Sequence, residues 1–201
     1  MHLDSWAKKA KDRGYRSRAV FKLEEILRKI KFENTDGKVL DIGSSPGGWS
    51  QYIIRNYPKK EVYAIDVIDM ELIDGVCFVK EDIHNIDEIE TLYKNKGSFE
   101  LVISDIAPNL TGINAVDIEN VYELNILTIS IAKRYLQKTN GFFIMKTFQN
   151  NMLKILRENM AIYFDMVQTY KPAASKKQSG EIYLYGVKYL WIVFWEIYLF
   201  G

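Results

Sequence analysis

The sequence predicts an α/β protein, with a mostly parallel seven-stranded sheet, helices on both faces and a last strand that pairs back antiparallel. Three observations carry that expectation. Short apolar runs alternate along the chain with stretches of helical periodicity. Several of those runs end in an acid or a lysine, as at Asp66, Asp105 and Lys146, where a purely structural strand would stay apolar. The first run breaks into Asp41-Ile42-Gly43-Ser44-Ser45-Pro46-Gly47-Gly48-Trp49, with three glycines and a proline between a strand and a helix. Strand, glycine turn and helix is how an open α/β sheet offers backbone N–H groups and a helix N-terminus to a ligand.

Taken in order, Ser5 to Lys11 is expected to form a short helix closed by Asp12-Arg13-Gly14. Arg16 to Lys31 reads as an amphipathic helix with Val20, Phe21, Leu23, Ile26, Leu27 and Ile30 on one face. Lys22 falls inside that apolar cluster, where structure alone would make it a lysine snorkelling at the edge of the face. Asn34-Thr35-Asp36-Gly37 is a turn, Lys38–Ile42 the first central strand, and Gly48 to Tyr57 a helix stopped before Pro58. Glu61–Asp66 and Gly75–Lys80 are the second and third strands, and Asp87–Lys96 is expected to be helical. Phe99–Asp105 is the fourth strand, running into Ile106-Ala107-Pro108-Asn109. A loop at Gly112–Val116 leads to a long helix from Asp117 to Gln137, and Gly141–Phe148 is the fifth strand. A helix at Asn151–Asn159, a sixth strand at Ala161–Tyr170, a loop of small and basic residues at Lys171–Gly180 and a final strand at Glu181–Val187 complete the reading.

A chain of 201 residues with 48% hydrophobic content can bury one good core, so a single domain over residues 1–201 is expected. Its formal charge of +1 is unevenly spread: residues 1–31 hold ten Lys/Arg against four Asp/Glu, a net +6 that leaves −5 on the rest. A basic arm on a mildly acidic body suits a polyanion held beside a site that handles something else, although a solvated helix face explains charge alone equally well. The single Cys77 excludes an internal disulfide and fits a reducing compartment, and His2 and His84 are too few for a zinc site. Asn109-Leu110-Thr111 matches a glycosylation sequon but is discounted, because nothing upstream resembles a signal peptide. The apolar tail at residues 188–201 includes Glu196 and is short for a membrane span, so no membrane partner is expected. Its role stays open between a strand extension, an interface and an artefact of the gene's assignment.

Individual residues point to chemistry. An acid about twenty residues past a glycine loop, at a strand's carboxyl end, suits a ribose diol, which favours Asp66 with Asp69 as its rival. A G-x-G-x-x-G dinucleotide fingerprint would place its second glycine elsewhere, which disfavours a nicotinamide-dependent dehydrogenase. An apolar strand that delivers Asp105 into a proline turn puts a carboxylate where doubly wound sheets bind ligands.

The glycine string resembles the S-adenosylmethionine (SAM) loop of the FtsJ-type RNA ribose 2′-O-methyltransferases. Gly14-Tyr15-Arg16-Ser17-Arg18-Ala19-Val20-Phe21-Lys22-Leu23 is similar to the segment that precedes that loop in the family. Ser104-Asp105-Ile106-Ala107-Pro108-Asn109 resembles the ribose enzymes rather than the Asn/Asp-Pro-Pro-aromatic pattern of methyltransferases that act on base amines. Glu181 opens the last strand as the family's acidic partner does. The likeness spans residues 5 to 187 and implies a Rossmann-like SAM-dependent methyltransferase fold. It implies SAM held by Gly43, Pro46, Gly47, Gly48, Trp49, Asp66, Asp82 and Asp105, with Asp82 at the adenine amine and adjoining Glu81 as its rival. The implied catalytic set is Lys22, Asp105, Lys146 and Glu181. In this reading Lys146 takes the proton of the 2′-OH, since burial and a nearby cation favour a neutral amine. Lys22 holds the hydroxyl or a phosphate, Asp105 and Glu181 orient the amines, and no metal is expected.

RNA contacts are expected at Arg16, Arg18, Lys176 and Lys177. The substrate is RNA because DNA has no 2′-OH, and compact single-domain relatives suggest a uridine of large-subunit ribosomal RNA, free or within the ribosomal subunit. The tRNA anticodon loop and the cap ribose are the alternatives in the same class, and an RNA-binding module without catalysis is the alternative from another. A monomer is expected, inside the cell, in cytoplasm or organelle. Two features depart from the family pattern: Lys176-Lys177 stands where relatives often carry Arg/Ser-rich sequence, and the tail has no counterpart.

Overall fold

In a strand buried on both sides, neighbouring side chains serve different layers. In the computed structural model, which describes residues 5–109, 111–176 and 178–188, Val39 faces one helical layer and Leu40 the other, both fully buried. Leu101 and Ile103 likewise join Val39, and Val102 joins Leu40. Lys177, the middle of the sequon and the tail from 189 onward lie outside the described residues. The elements are α1 (Ser5–Asp12), α2 (Val20–Lys29), β1 (Gly37–Ile42), α3 (Gly48–Asn56), β2 (Lys60–Asp66), β3 (Val76–Lys80) and a 3₁₀ turn (Ile83–Glu88). They continue as α4 (Glu90–Tyr93), β4 (Phe99–Ser104), α5 (Asn114–Tyr135), β5 (Phe142–Phe148), α6 (Leu153–Ala161), β6 (Met166–Tyr170) and β7 (Glu181–Val187).

The seven strands form one sheet in the order β3-β2-β1-β4-β5-β7-β6. β1 pairs in parallel with β2 and β4, and the chain reverses direction across the sheet between them. That is the switch point at which open α/β sheets bind ligands, outside the strands' carboxyl ends. β7 is antiparallel to both β5 and β6, so it begins where β5 finishes. Phe148 pairs with Glu181 and Lys146 with Tyr183, which puts the start of β7 at the carboxyl end of the sheet.

The first core layer packs α1, α2 and α3 on one face through Phe21, Leu23, Ile26, Leu27, Trp49 and Ile53. The second packs α5 and α6 on the other through Ile129, Ile131, Tyr135, Leu156 and Met160. Leu23, Ile26 and Leu27 of α2 are fully buried, so truncating any one to Ala costs about 2–5 kcal/mol. Among the described residues no helix is long and apolar enough to cross a membrane.

Beyond shifts of one or two residues at other ends, four elements depart from the sequence expectation. α2 starts at Val20 rather than Arg16, because Ser17 Oγ accepts the Ala19 amide and Arg16 is drawn into tertiary hydrogen bonds. The expected helix over 87–96 is two short pieces, interrupted at Ile89, whose backbone is extended. α5 begins earlier, at Asn114, because the Asp117 carboxylate accepts the Thr111 and Gly112 amides and folds the loop onto the first turn. β6 is shorter, since residues through Ala161 belong to α6 and the Tyr163 and Phe164 amides close that helix on the Met160 carbonyl.

Asp41 is an acid inside the buried run of β1 and accepts a 2.6 Å hydrogen bond from Ser50 Oγ of α3. Burial pushes its carboxyl up from 3.8 to about 7; Ser50 pulls the other way, and the charges of Asp105 and Asp66 add to the rise. A group raised in the folded state contributes stability that is complete below 3.8 and is lost as pH climbs through about 7. Asp41→Asn keeps the shape and an acceptor for Ser50 while removing the charge. Melting temperatures measured across pH should show the variant above the parent at pH 8 and equal to it near pH 4; parallel curves would exclude this role for Asp41.

Candidate active site

The carboxyl ends of β1 to β4 surround a cleft of about 600 Å³ lined by Gly43, Asp66, Ile68, Asp82, Asp105 and residues of α5. A size of this order suits a small-molecule cofactor. Beside it lies a second cavity of about 50 Å³ walled by Ser17, Asp41, Ser44, Gly48, Trp49 and Asp105. Gly43 and Asp105 border both.

The glycine loop is built for close approach. Gly43 has φ +72°, and a Cβ there would come within 2.6 Å of Ile106 Cβ. A side chain at this position would push apart β1 and the loop after β4. Gly47 caps α3 at φ +97°, where a Cβ would strike Met70 and Ile73 at 2.8 Å. Asp66 ties the loop to the next one: its Oδ2 accepts the Ser45 amide at 2.8 Å and its Oδ1 the Ile68 amide at 2.8 Å. Trp49 is buried, and its indole N–H donates to the Ala19 carbonyl at 2.8 Å, so it anchors α3 against the start of α2 while walling the smaller cavity.

The rival acids have different surroundings. Asp66 and Asp82 line the cleft. The Asp69 side chain is exposed and pairs with Lys80 at 3.1 Å, which holds its carboxyl below the usual range. Glu81 is occupied by the Asp82 amide and the Asn85 side chain. The Asp82 carboxyl is held low by the His84 amide and then by the His84 ring, whose Nδ1 stands 2.6 Å away.

A cluster of charge lies where Asp105 meets β5 and β7. Lys146 Nζ contacts the Asp105 carbonyl and lies 3.2 Å from Asp105 Oδ1. Lys22 Nζ lies 2.6 Å from Glu181 Oε1, which also accepts from Ser175 Oγ at 2.9 Å. The side chains of Lys22 and Lys146 are 8% and 11% exposed, so each ammonium depends on its carboxylate for charge compensation. The Tyr183 hydroxyl joins the pairs, accepting from Lys22 Nζ at 3.2 Å and donating to Asp105 Oδ1 at 2.7 Å. Burial, followed by the charges of Asp105 and Glu181, pushes this phenol well above its ordinary pKa and keeps it a donor. Burial pushes Glu181 up, but the hydrogen bond and charge of Lys22, with Ser175 and Lys146, outweigh it and hold the carboxyl below 4.5.

The four expected catalytic side chains therefore form one connected cluster. Sequence alone gives Tyr183 no site role, although it stands two residues after Glu181 and so on the same face of β7. Asn120 and Glu123 of α5 also line the cleft, and no sequence motif marks them. Arg16 differs from expectation: its guanidinium is turned inward, donating to the carbonyls of Pro46, Glu71 and Leu72. Arg18 is half-buried and Lys176 exposed.

Because Glu181 is held low, its contribution to stability is present above 4.5 and is lost as pH falls through its folded-state value. Glu181→Gln should cost about 1.5–3 kcal/mol at pH 7, the range for a charged hydrogen-bond partner lost. Urea unfolding at pH 7 and below pH 4 would show that difference shrinking with acidification; a difference independent of pH would contradict the pairing.

The chain is similar to known proteins over most of its length. The model of the FtsJ-like methyltransferase family matches residues 15–189. A ribosomal RNA large subunit methyltransferase E of Ehrlichia chaffeensis is 38% identical over 92% of this chain and 88% of its own length. One from Vesicomyosocius okutanii is 39% identical over 90% of this chain and 87% of its own. A crystal structure from Plasmodium falciparum, assigned as a ribosomal RNA methyltransferase, superposes with TM-score 0.73 at 30% identity, over 88% of this chain and 99% of that one. By that match over residues 15–189 and those identities, the chain belongs to the FtsJ-like methyltransferase family.

Proposed function

We propose that this chain transfers the methyl group of SAM to a ribose 2′-OH of large-subunit ribosomal RNA. The observation that carries the reading is the position of Asp105, which borders both cavities and touches Lys146 and Tyr183. It joins a cofactor-sized cleft to a pair of amines fit to handle a hydroxyl. The substrate class is supported by the relatives' names, by the net +6 on residues 1–31, and by the likeness to ribose rather than base-amine methyltransferases.

The residues present fit SAM. Ser44 Oγ, in the wall of the smaller cavity, is a buried polar atom without a hydrogen-bond partner among the described residues. With Asp41 and Asp105 it offers a polar end for an amino acid group, while Asp66 and Asp82 supply acceptors in the larger cleft for ribose hydroxyls and an adenine amine. When bound, SAM supplies a methyl group activated on a sulfonium.

The chain's own work is alignment and removal of one proton. Lys146, once its ammonium has given a proton to solvent, accepts the proton of the 2′-OH. Its present contact with Asp105 must loosen as the hydroxyl enters, and Tyr183 keeps Asp105 hydrogen-bonded while that happens. Lys22, fixed by Glu181, holds the hydroxyl or the adjoining phosphate. Arg18 and Lys176 meet the RNA backbone; Lys177, assigned to RNA on sequence alone, lies outside the described residues. The reaction takes place inside the cell, where ribosomal RNA is found.

Two measurements test this. In calorimetry SAM should bind and NAD should not; NAD binding without SAM binding would overturn the cofactor reading. In single-turnover methyl transfer with saturating RNA, Lys146→Ala should lose about 10²–10⁴ in rate, the span of general base catalysis. SAM affinity should persist. Lys146→Arg should fare little better, because a guanidinium stays protonated. A near-parental arginine variant would make Lys146 an electrostatic anchor only.

A further inference from the structure

The charge of the Gly14–Ala19 segment suggests an arm that faces RNA, yet the Arg16 side chain is only 20% exposed. Its Nη1 donates to the Pro46 carbonyl at 3.2 Å and to the Glu71 carbonyl at 2.6 Å, and its Nη2 donates to the Leu72 carbonyl at 2.9 Å. Glu71's carboxylate, 91% exposed and 3.6 Å away, adds little. The Arg16 amide donates to Gln51 Oε1 of α3 at 3.0 Å, and Gln51 Nε2 returns to the Gly14 carbonyl at 3.1 Å. The backbone at this point is thus clamped to the helix that follows the glycine loop.

Pro46 belongs to the glycine loop. Glu71 and Leu72 belong to the connection between β2 and β3, whose first residues, Val67 and Ile68, line the larger cleft. The two loops are already joined on the cleft side, where Asp66 accepts the Ser45 and Ile68 amides. Arg16 joins them again from behind. A Cβ on Gly47 would meet Ile73 and Met70 at 2.8 Å and Arg16 Nη1 at 3.2 Å, so nothing larger than glycine fits under this seam without displacement.

We infer that Arg16 is a positioning residue for the SAM cleft, a guanidinium latch that holds the glycine loop against the 67–75 connection. This rests on the SAM reading of that cleft. A planar fork can serve three converging carbonyls, whereas a lysine ammonium is a compact point charge that keeps the charge and loses the span. The same segment carries Ser17 and Ala19 into the wall of the smaller cavity with Arg18 between them, so the latch also links the RNA-facing arm to the cofactor loops.

Arg16→Lys and Arg16→Ala are compared with Arg18→Ala. Both Arg16 variants should bind SAM about tenfold more weakly, raise the KM for SAM with kcat retained at saturation, and leave the salt slope of RNA binding as in the parent. Arg18→Ala should lower that slope by about one, the effect of a lost phosphate contact, with SAM affinity unchanged. In ligand-free protein, hydrogen exchange at residues 67–75 should quicken in both Arg16 variants while β4 and β5 stay protected. Parental SAM affinity and exchange in Arg16→Lys, together with a reduced salt slope in Arg16→Ala, would overturn the latch and make Arg16 a phosphate contact. If the parent binds no SAM, the cofactor reading fails, and the exchange result alone decides whether Arg16 holds the loops.

Discussion

Two lysine ammonium groups lie largely buried at the carboxyl end of one sheet, and each is tolerable there because a carboxylate stands against it. Lys22 has Glu181 and Lys146 has Asp105, with the Tyr183 phenol hydrogen-bonded to one member of each pair. An unpartnered ammonium in such surroundings would cost several kcal/mol or give up its proton. That constraint explains much of the architecture. Lys22 arrives from α2, Asp105 from the end of β4, Lys146 from β5 and Glu181 from the start of β7. Only an antiparallel β7 brings its first residue to the end of β5 where Lys146 sits. A slip of one residue between β5 and β7 would turn Glu181 and Tyr183 to the opposite helical layer, leaving Lys22 without its carboxylate and Asp105 without its phenol donor.

Asp105 also belongs to a second system. It borders the cleft at the switch point between β1 and β4, so the group that compensates Lys146 is exposed to whatever enters the cleft. A cofactor carrying positive charge there would compete with Lys146 for the same carboxylate. The arrangement thereby connects occupation of the cleft to the state of the amine, with no moving domain required. Asp41, buried beneath the glycine loop and raised to about 7 by its surroundings, adds a further acid whose charge depends on the same neighbourhood.

Much of this was legible in the sequence because it follows from local rules. The glycine string, Asp66 at the end of one strand and Asp105 at the end of another are read from strand, turn and helix alone. Lys146 stood out as a charge where a buried strand should remain apolar, and Lys22 as a charge inside an apolar stripe. What escaped depends on tertiary geometry. Tyr183 looks like an ordinary aromatic core residue until the pairing of β5 with β7 sets it between two ion pairs. Arg16 reads as surface charge until the 67–75 connection wraps back and presents its carbonyls. The start of α2 was misplaced for the same reason, since hydrogen bonds to Gln51 and Pro46 overrode a helical pattern that continued back to Arg16. The pairing of Asp69 with Lys80 likewise depends on how the β2–β3 connection folds and cannot be read from sequence spacing.

The central claim is that these paired lysines act on a ribose hydroxyl rather than on a base. Large ribosomal subunits and protein-free large-subunit RNA from cells lacking the enzyme can be incubated with it and isotope-labelled SAM, digested to nucleosides and analysed by mass spectrometry. Label confined to a 2′-O-methylated nucleoside is the expected result. Label on a base, or RNA of both forms left unlabelled while SAM is bound, would contradict it.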